Sequence, residues 1–276
     1  MLRPSSCCQN SSVQTPNSPD PDSAVAANAD NTFTIATYNI HKGVQGIGPL
    51  KRLEIHNLLH AVEQFDADVV CLQEVQHSHK REQARFAHWP AGDQANYLAP
   101  EGYRAIYRSN AITPHGEHGN ALLSRWPVLS HQHEDMSDHR FEQRGLLHGV
   151  VQVHGRDLHV IVVHLGLIAA SRVRQVAQLL AYIARDVPSA APLVVAGDFN
   201  DWGSTCMRAM QAAEMRPCPT PAGAALATFP SRFPLAQLDR IYARGLRPVG
   251  QQVPRGPAWA RMSDHLPLLA QWAFID

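Results

Sequence analysis

Several protein classes are set aside by what this chain has little of. Five cysteines occur in 276 residues, Cys7, Cys8, Cys71, Cys206 and Cys218, an odd number with no C-x-x-C pair. That argues against a disulfide framework or a structural zinc site and makes a reducing, cytoplasmic setting the default expectation. No apolar run approaches the roughly 20 residues of a membrane span. The opening MLRPSSCCQNSS also lacks the apolar stretch of a secretory signal. An excess of charge is missing too: 24 basic residues balance 24 acidic ones. No global positive field is available to hold nucleic acid nonspecifically, which counts against a tight DNA binder without excluding a nuclease. Sixteen histidines are many. Placed on the surface, they would turn the net charge positive below about pH 6.5.

What remains is ordinary globular composition, 45% apolar and 17% charged, enough for one large core. Residues 1–31 are rich in Ser, Pro, Asn, Asp and Ala and read as a disordered tail. The folded domain is expected over 32–276. FTIATYNI has strand composition, and Pro49 opens a helical pattern through Leu50, Leu53, Leu58, Leu59 and Val62. DADVVCLQEV reads as a buried strand, with Cys71 as a small core residue, and a short helix is expected over 80–88. YRAIYRS and GNALLSRWPV read as strands, and GLLHGVVQVHGRDLHVIVVHL as a hairpin turning at HGRD. SRVRQVAQLLAYIARDV is an amphipathic helix. PLVVAGDFN, QLDRIYAR and PLLAQWAF supply further strands, with a short helix near 204–214 and a Pro-rich irregular stretch at 216–234. Many strands with some helices between them suit a two-sheet sandwich with helices outside.

Six polar clusters sit where apolar runs stop: TYN at 37–39, QE at 73–74, VHL at 163–165, GDFN at 197–200, LDR at 238–240 and SDH at 263–265. Strand ends on one edge of a sheet converge in space while lying far apart in sequence. Carboxylates, amides and imidazoles gathered there are what Mg²⁺-dependent phosphate cleavage needs, because Mg²⁺ takes oxygen ligands and keeps several waters. Glu74, polar at the end of VVCLQ, is the candidate metal anchor. Asp198 and Asn200 can orient a water and hold phosphate, although an isolated D-x-N is also an ordinary turn. His265 suits a general base, with Asp239 to set its tautomer. His164 gains weight only from the residues around it. Arg144 offers a planar guanidinium to phosphate, and Asn120 a donor to phosphate or a partner for His164. His115, His118, His131, His133 and His139 read as loop histidines, since no HExxH-type frame is present. Trp89, Trp126, Trp202 and Phe229 stand open between framing the substrate and filling the core.

Taken in order, TYN, LQE, HGNALLSR, RG, VHL, GDFN, LDRIY and SDHLP resemble the endonuclease/exonuclease/phosphatase superfamily, to which deoxyribonuclease I, abasic-site endonucleases and neutral sphingomyelinases belong. The resemblance implies a deoxyribonuclease-I-like α/β fold, a four-layer α/β sandwich of two packed mixed sheets flanked by helices. It implies Mg²⁺ as cofactor, with Mn²⁺ as substitute. Glu74, Asn39 and Asp264 would serve the metal, and Asn39, Asn120, Asn200 and Arg144 the substrate phosphate. Asp198 and Asn200 would hold the nucleophilic water, His164 would stabilise phosphoryl oxygens, and His265 with Asp239 would act as base. NIHKG and GEHGNALLSRWPV resemble the bacterial YbhP-like branch, whose members often have a cardiolipin-synthase gene nearby. Some nucleases of the superfamily carry a glutamate where this chain has Gly119–Asn120.

The favoured expectation is a monomeric, Mg²⁺-dependent phosphodiesterase or phosphatase acting on a small or lipid-derived phosphate ester, with peripheral membrane contact open. An endonuclease or DNA-repair nuclease is the alternative, kept open by Lys80–Arg81 and Arg104–Arg108. A non-catalytic binding protein on the same fold would be expected to have lost site residues, and none is lost. Loops 42–49, 89–119 and 216–234 are expected to set substrate choice.

Overall fold

A computed structural model describes residues 31–220 and 226–275. The expected N-terminal tail up to residue 30, with Cys7 and Cys8, lies outside the described residues, as does 221–225 of the Pro-rich stretch. The first half of the domain comprises β1 (Thr32–Asn39), β2 (Val44–Gln45), β3 (Arg52–Leu53), α1 (Ile55–Phe65), β4 (Val69–His79), α2 (Lys80–Arg85), α3 (Gln94–Leu98), β5 (Arg104–Thr113), β6 (Gly116–Ser124) and β7 (Val128–Asp135). The second half comprises β8 (Gly145–Val153), β9 (Arg156–His164), α4 (Ala169–Asp186), β10 (Leu193–Asp198), α5 (Thr205–Ala212), β11 (Arg216–Pro217), β12 (Asp239–Arg244), β13 (Leu246–Gln252), α6 (Trp259–Met262) and β14 (Leu268–Phe274).

Two mixed sheets form, ordered β13-β14-β1-β4-β6-β5 and β11-β12-β10-β9-β8-β7. Strand periodicity builds the layers, because alternate side chains face opposite sides. Phe33, Ile35, Val69 and Cys71 of the first sheet meet Val160, Val162, Val194 and Ala196 of the second in the central core. The other faces of the same strands meet helices. Ala36, Tyr38, Val70 and Leu72 pack on Leu58, Val62 and Leu98 of α1 and α3. Ile161, Val163 and Val195 pack on Val176, Leu179 and Met210 of α4 and α5. The result is the expected four-layer sandwich.

The central pairs of both sheets are parallel, β1 with β4 and β9 with β10. Each pair is joined by a helical crossover, α1 or α4, so both strands of a pair end at the same edge. All six polar clusters lie at this one edge.

Some local expectations are corrected. Pro49 lies in a single 3-10 turn, Gly48–Leu50, and the helix begins only at Ile55. Between them β2 and β3 form a small hairpin. His131 and His133 belong to β7 and His118 to β6, so these three are strand rather than loop residues. Nor are the histidines uniformly superficial. His148, His164 and His265 are buried, and burial pushes His118 and His148 down to about 4.

Candidate active site

Register explains how the site assembles. In the second sheet Asp198, at the end of β10, pairs with His164 of β9 on one side and Asp239 of β12 on the other. Three polar residues from distant stretches thus lie in one row. Gly197 makes this possible. Its φ is +151° and an added Cβ would come within 1.9 Å of the Val163 carbonyl oxygen, so no larger residue fits between the strands.

The first sheet contributes from the facing edge. Asn39 ends β1, and its Nδ2 donates to Asp198 Oδ2 at 3.1 Å, joining the two sheets. Beside it, β4 bulges between Leu72 and Val75, and Glu74 takes a φ of +57°. A bulge re-aims a side chain, and a positive φ away from glycine is a strained choice that gathers at functional sites. His41, Lys42 and Asn200 share that conformation, at φ of +46°, +61° and +48°.

His265 arrives on the loop before β14. Its Nδ1 bonds Asp239 Oδ2 at 2.7 Å, which orients the ring. Its Nε2 faces Asp198 Oδ2 at 3.6 Å, the same distance at which His164 Nε2 faces that oxygen from the other side. Neither contact is a hydrogen bond at that length. The loop is strapped down by Ser263, the first residue of the SDH cluster, and by Ser231, which the sequence does not flag. Ser263 Oγ donates to the Asn39 carbonyl at 2.6 Å, Ser231 Oγ to the Ser263 carbonyl at 2.7 Å, and the Ser231 N–H to the Asp264 carbonyl at 2.7 Å.

Electrostatics divides the carboxylates. Burial pushes Asp198 up, aided by the nearby Asp239 charge and opposed by His265. For His265 burial opposes the charged form, but Asp239 and Asp198 outweigh it and hold the imidazole protonated at neutral pH. His164 is the reverse: burial, with Arg144 adding to it, keeps it uncharged. Burial also works to raise Glu74, yet facing positive groups leave it at about 2. Since His164 is itself neutral, we attribute this mainly to the Lys42 ammonium, 3.4 Å from Glu74 Oε2. Asp264 is also held low: its hydrogen bond with His41, at 3.2 Å, overcomes the opposing effect of burial.

Glu74 Oε2 is buried and makes no hydrogen bond. The Asp264 charge acts on Glu74, and the Asn39 amide oxygen accepts from the His41 N–H at 3.1 Å; oxygen donors of this kind are what a hard divalent cation takes. Asp198, Asp239 and His265 bring ligand atoms within 4.8 Å of one another. That set mixes nitrogen with oxygen, and its closest pair is already a hydrogen bond.

The other expected residues are placed as follows. Arg144 is half-buried at the start of β8, its Nε on the Leu165 carbonyl and its Nη2 on Glu142. Asn200 Nδ2 donates to the Leu165 carbonyl at 3.0 Å and its N–H to Asp198 Oδ1 at 2.9 Å. Asn120 Nδ2 donates to the Gly145 and Val162 carbonyls and so ties the first sheet to the second, while its buried Oδ1 makes no hydrogen bond. Of the aromatics, Trp126 packs on the core, while Phe229 lies 4.9 Å from the His265 ring and 5.7 Å from Trp202. The sequence reading does not single out His41 and Lys42, although their place two and three residues after Asn39, just past a strand end, is a usable signal.

Residues 36–265 match the Endonuclease/Exonuclease/phosphatase family. The chain belongs to this family. It is 36% identical over 245 residues to YbhP of Escherichia coli K12, an uncharacterized protein, covering 87% of this chain and 96% of that one. This places it in the YbhP-like branch. Among solved structures, a family member from Beutenbergia cavernae superposes with a TM-score of 0.70 at 20% identity, covering 88% of this chain and 72% of that one. The human Nocturnin catalytic domain, solved with a bound sulfate anion, gives 0.68 at 21% identity, covering 89% and 94%. At such identities these likenesses speak for the fold alone. Members of this family are generally phosphate-ester hydrolases and use divalent metals.

Proposed function

We propose that this site hydrolyses a phosphate ester, diester or monoester, by in-line attack of water, and that small or lipid-derived substrates are preferred to nucleic acid. The observation that carries the reading is the row His164–Asp198–Asp239 capped by His265, with Asn39 bonded to Asp198 from the facing sheet, where its strand runs beside the one that carries Glu74. Glu74, Asp264 and Asn39 would hold Mg²⁺, for which Mn²⁺ could substitute. When bound, that ion polarises the phosphoryl group and offsets its developing charge.

The chain's own residues divide the remaining work. An imidazolium has no lone pair to accept a proton, so His265, which Asp239 and Asp198 hold toward its charged form, suits a donor better than the general base expected of it. That role passes to Asp198, whose raised pKa suits a proton acceptor near neutrality. Water gives its proton to Asp198 as its oxygen bonds to phosphorus. The ester oxygen leaves and takes a proton from solvent. His265 donates to a phosphoryl oxygen, and Asp239 holds its ring and stabilises its charge. His164 donates from the other side, and Arg144 adds positive potential behind it. Asn200 fixes Asp198 through its backbone N–H. Net charge of zero favours substrates other than long polyanions.

A hydrolysis panel with Mg²⁺ tests this reading, using aryl phosphate mono- and diesters, lysophospholipids, inositol phosphates, plasmid and abasic DNA. Release that vanishes in Asp198→Ala supports it. Turnover equal in wild type and variant would refute the site. Asp198-dependent nicking of DNA, with the other substrates untouched, would move the protein to the nucleases.

A further inference from the structure

The edge of the sandwich that carries the site also exposes apolar side chains. Ile47 and Leu50 follow β1, Phe141 tips the connection from β7 to β8, and Leu167 follows β9. Phe233 and Leu235 sit in the connection leading into β12. All six are between 67% and 88% exposed. The strand pairings put every one of these connections at the same edge. At the opposite strand ends, among the described residues, only Leu129 and Ile275 are large, apolar and exposed, at 51% and 55%. Single exposed apolar residues are ordinary, whereas six gathered around one site on loops from both sheets mark a contact surface.

The rim is built to be presented. In the segment before β12, the N–H groups of Leu235 and Ala236 both donate to the Phe229 carbonyl, and that of Phe233 to the Pro230 carbonyl at 3.1 Å. The tip is therefore a braced turn with its apolar side chains held outward. Its base is Phe229, the residue packed on the His265 ring. Whatever meets the tip lies beside the reacting groups.

The chemistry of the rim identifies the partner. Four of the six side chains are aliphatic and give the bases of a nucleic acid nothing to stack on, so Phe141 and Phe233 are the only flat faces among the six. Both aromatic tips follow an exposed arginine, Arg140–Phe141 and Arg232–Phe233. The Arg140 guanidinium sits 4.7 Å from the Phe141 ring centre. Apolar side chains that enter the acyl boundary, with cations kept at the level of lipid phosphates, are how a peripheral protein holds an anionic bilayer. Among the described residues no helix is long and apolar enough to cross a membrane.

We propose that this rim docks the protein peripherally on an anionic phospholipid surface, with the site opening onto the headgroup layer. The inference rests on the phosphoesterase reading only for what the site does there. Docking itself is measured without turnover, so the two can fail separately.

The test is cosedimentation of the full chain with phosphatidylcholine vesicles, with and without phosphatidylglycerol. Wild type and Asp198→Ala should both sediment with the phosphatidylglycerol vesicles. The variant Phe141→Ser/Phe233→Ser/Leu235→Ser should lose at least about tenfold in vesicle affinity. Its melting curve and its hydrolysis of a soluble aryl phosphate ester should match wild type. Wild type left in the supernatant with both vesicles would overturn the proposal, as would a rim variant that sediments like wild type. A rim variant that loses affinity for a labelled oligonucleotide, with vesicles bound by neither protein, would assign the surface to nucleic acid. Vesicle binding without hydrolysis of any ester would sustain the docking and sink the phosphoesterase reading.

Discussion

Glu74, part-buried, and Asp198, fully buried, are carboxylates at the same edge of the sandwich, yet their surroundings drive them in opposite directions. Glu74, on the first sheet, faces Lys42 and is held ionised down to about 2. Asp198, on the second sheet, is enclosed among Asp239, His164 and His265 and is pushed up to about 6. A carboxylate that never protonates in the working range suits a cation ligand. One that titrates near neutrality suits a proton acceptor. Residue type at a strand end therefore does not fix how readily a carboxylate protonates; burial and the neighbouring charges do.

The largest way to break this comparison is to remove the second-sheet carboxylate. Asp198→Ala, or His265→Ala, should lower turnover by at least about 10²-fold with an unchanged circular dichroism spectrum. A folded variant with wild-type rates would end the assignment. Next comes the cation: a chelator should abolish activity and added Mg²⁺ restore it, and hydrolysis that resists chelation would contradict the role given to Glu74.

The pH profile sharpens the distinction. If ionised Asp198 takes the proton, kcat/KM falls as pH drops through about 6, well above the ordinary carboxylate range near 4. Asp239→Asn removes a negative charge that raises Asp198. The acid limb should therefore move to lower pH, and turnover should fall by about tenfold or more because His265 loses its orienting partner. A limb that stays in place would show that another group titrates, whereas one that moves up would show that His265 has lost the charge that lowers Asp198. The smallest effect on chemistry is expected at Asn120. Asn120→Ala removes the two hydrogen bonds from its amide to the Gly145 and Val162 carbonyls and should cost about 1–2 kcal/mol of stability. It should hardly alter turnover per folded molecule, and a loss confined to turnover would return Asn120 to the site.

Much of the fold is legible in the sequence where burial writes a pattern. β1, β4, β8, β9, β10, β12 and β14 carry apolar runs because they are central or covered on both faces, and α4 shows a clear amphipathic stripe. β7 is not legible. It is an edge strand with a solvent face, and LSHQHED carries no apolar alternation. β13 is another edge strand and contains Pro248 and a register shift. The pattern around Pro49 misleads because Leu50 and Leu53 look like helix positions but lie in a 3-10 turn and a two-residue strand. For the site, the clusters at strand ends can be read because chemistry requires their residue types. The protonation of His265 cannot, because it depends on two carboxylates brought to the ring by tertiary structure. Nor can the straps from Ser231 and Ser263, whose residue types are common in any loop.

The comparison between the two carboxylates is tested most directly by titrating Mg²⁺ against the initial hydrolysis rate for wild type, Glu74→Gln and Asp198→Asn. The account predicts that Glu74→Gln needs at least about tenfold more Mg²⁺ but recovers much of its rate at saturation. Asp198→Asn should stay inactive at every Mg²⁺ concentration. Rescue of Asp198→Asn by Mg²⁺, or an unchanged Mg²⁺ requirement in Glu74→Gln, would contradict it.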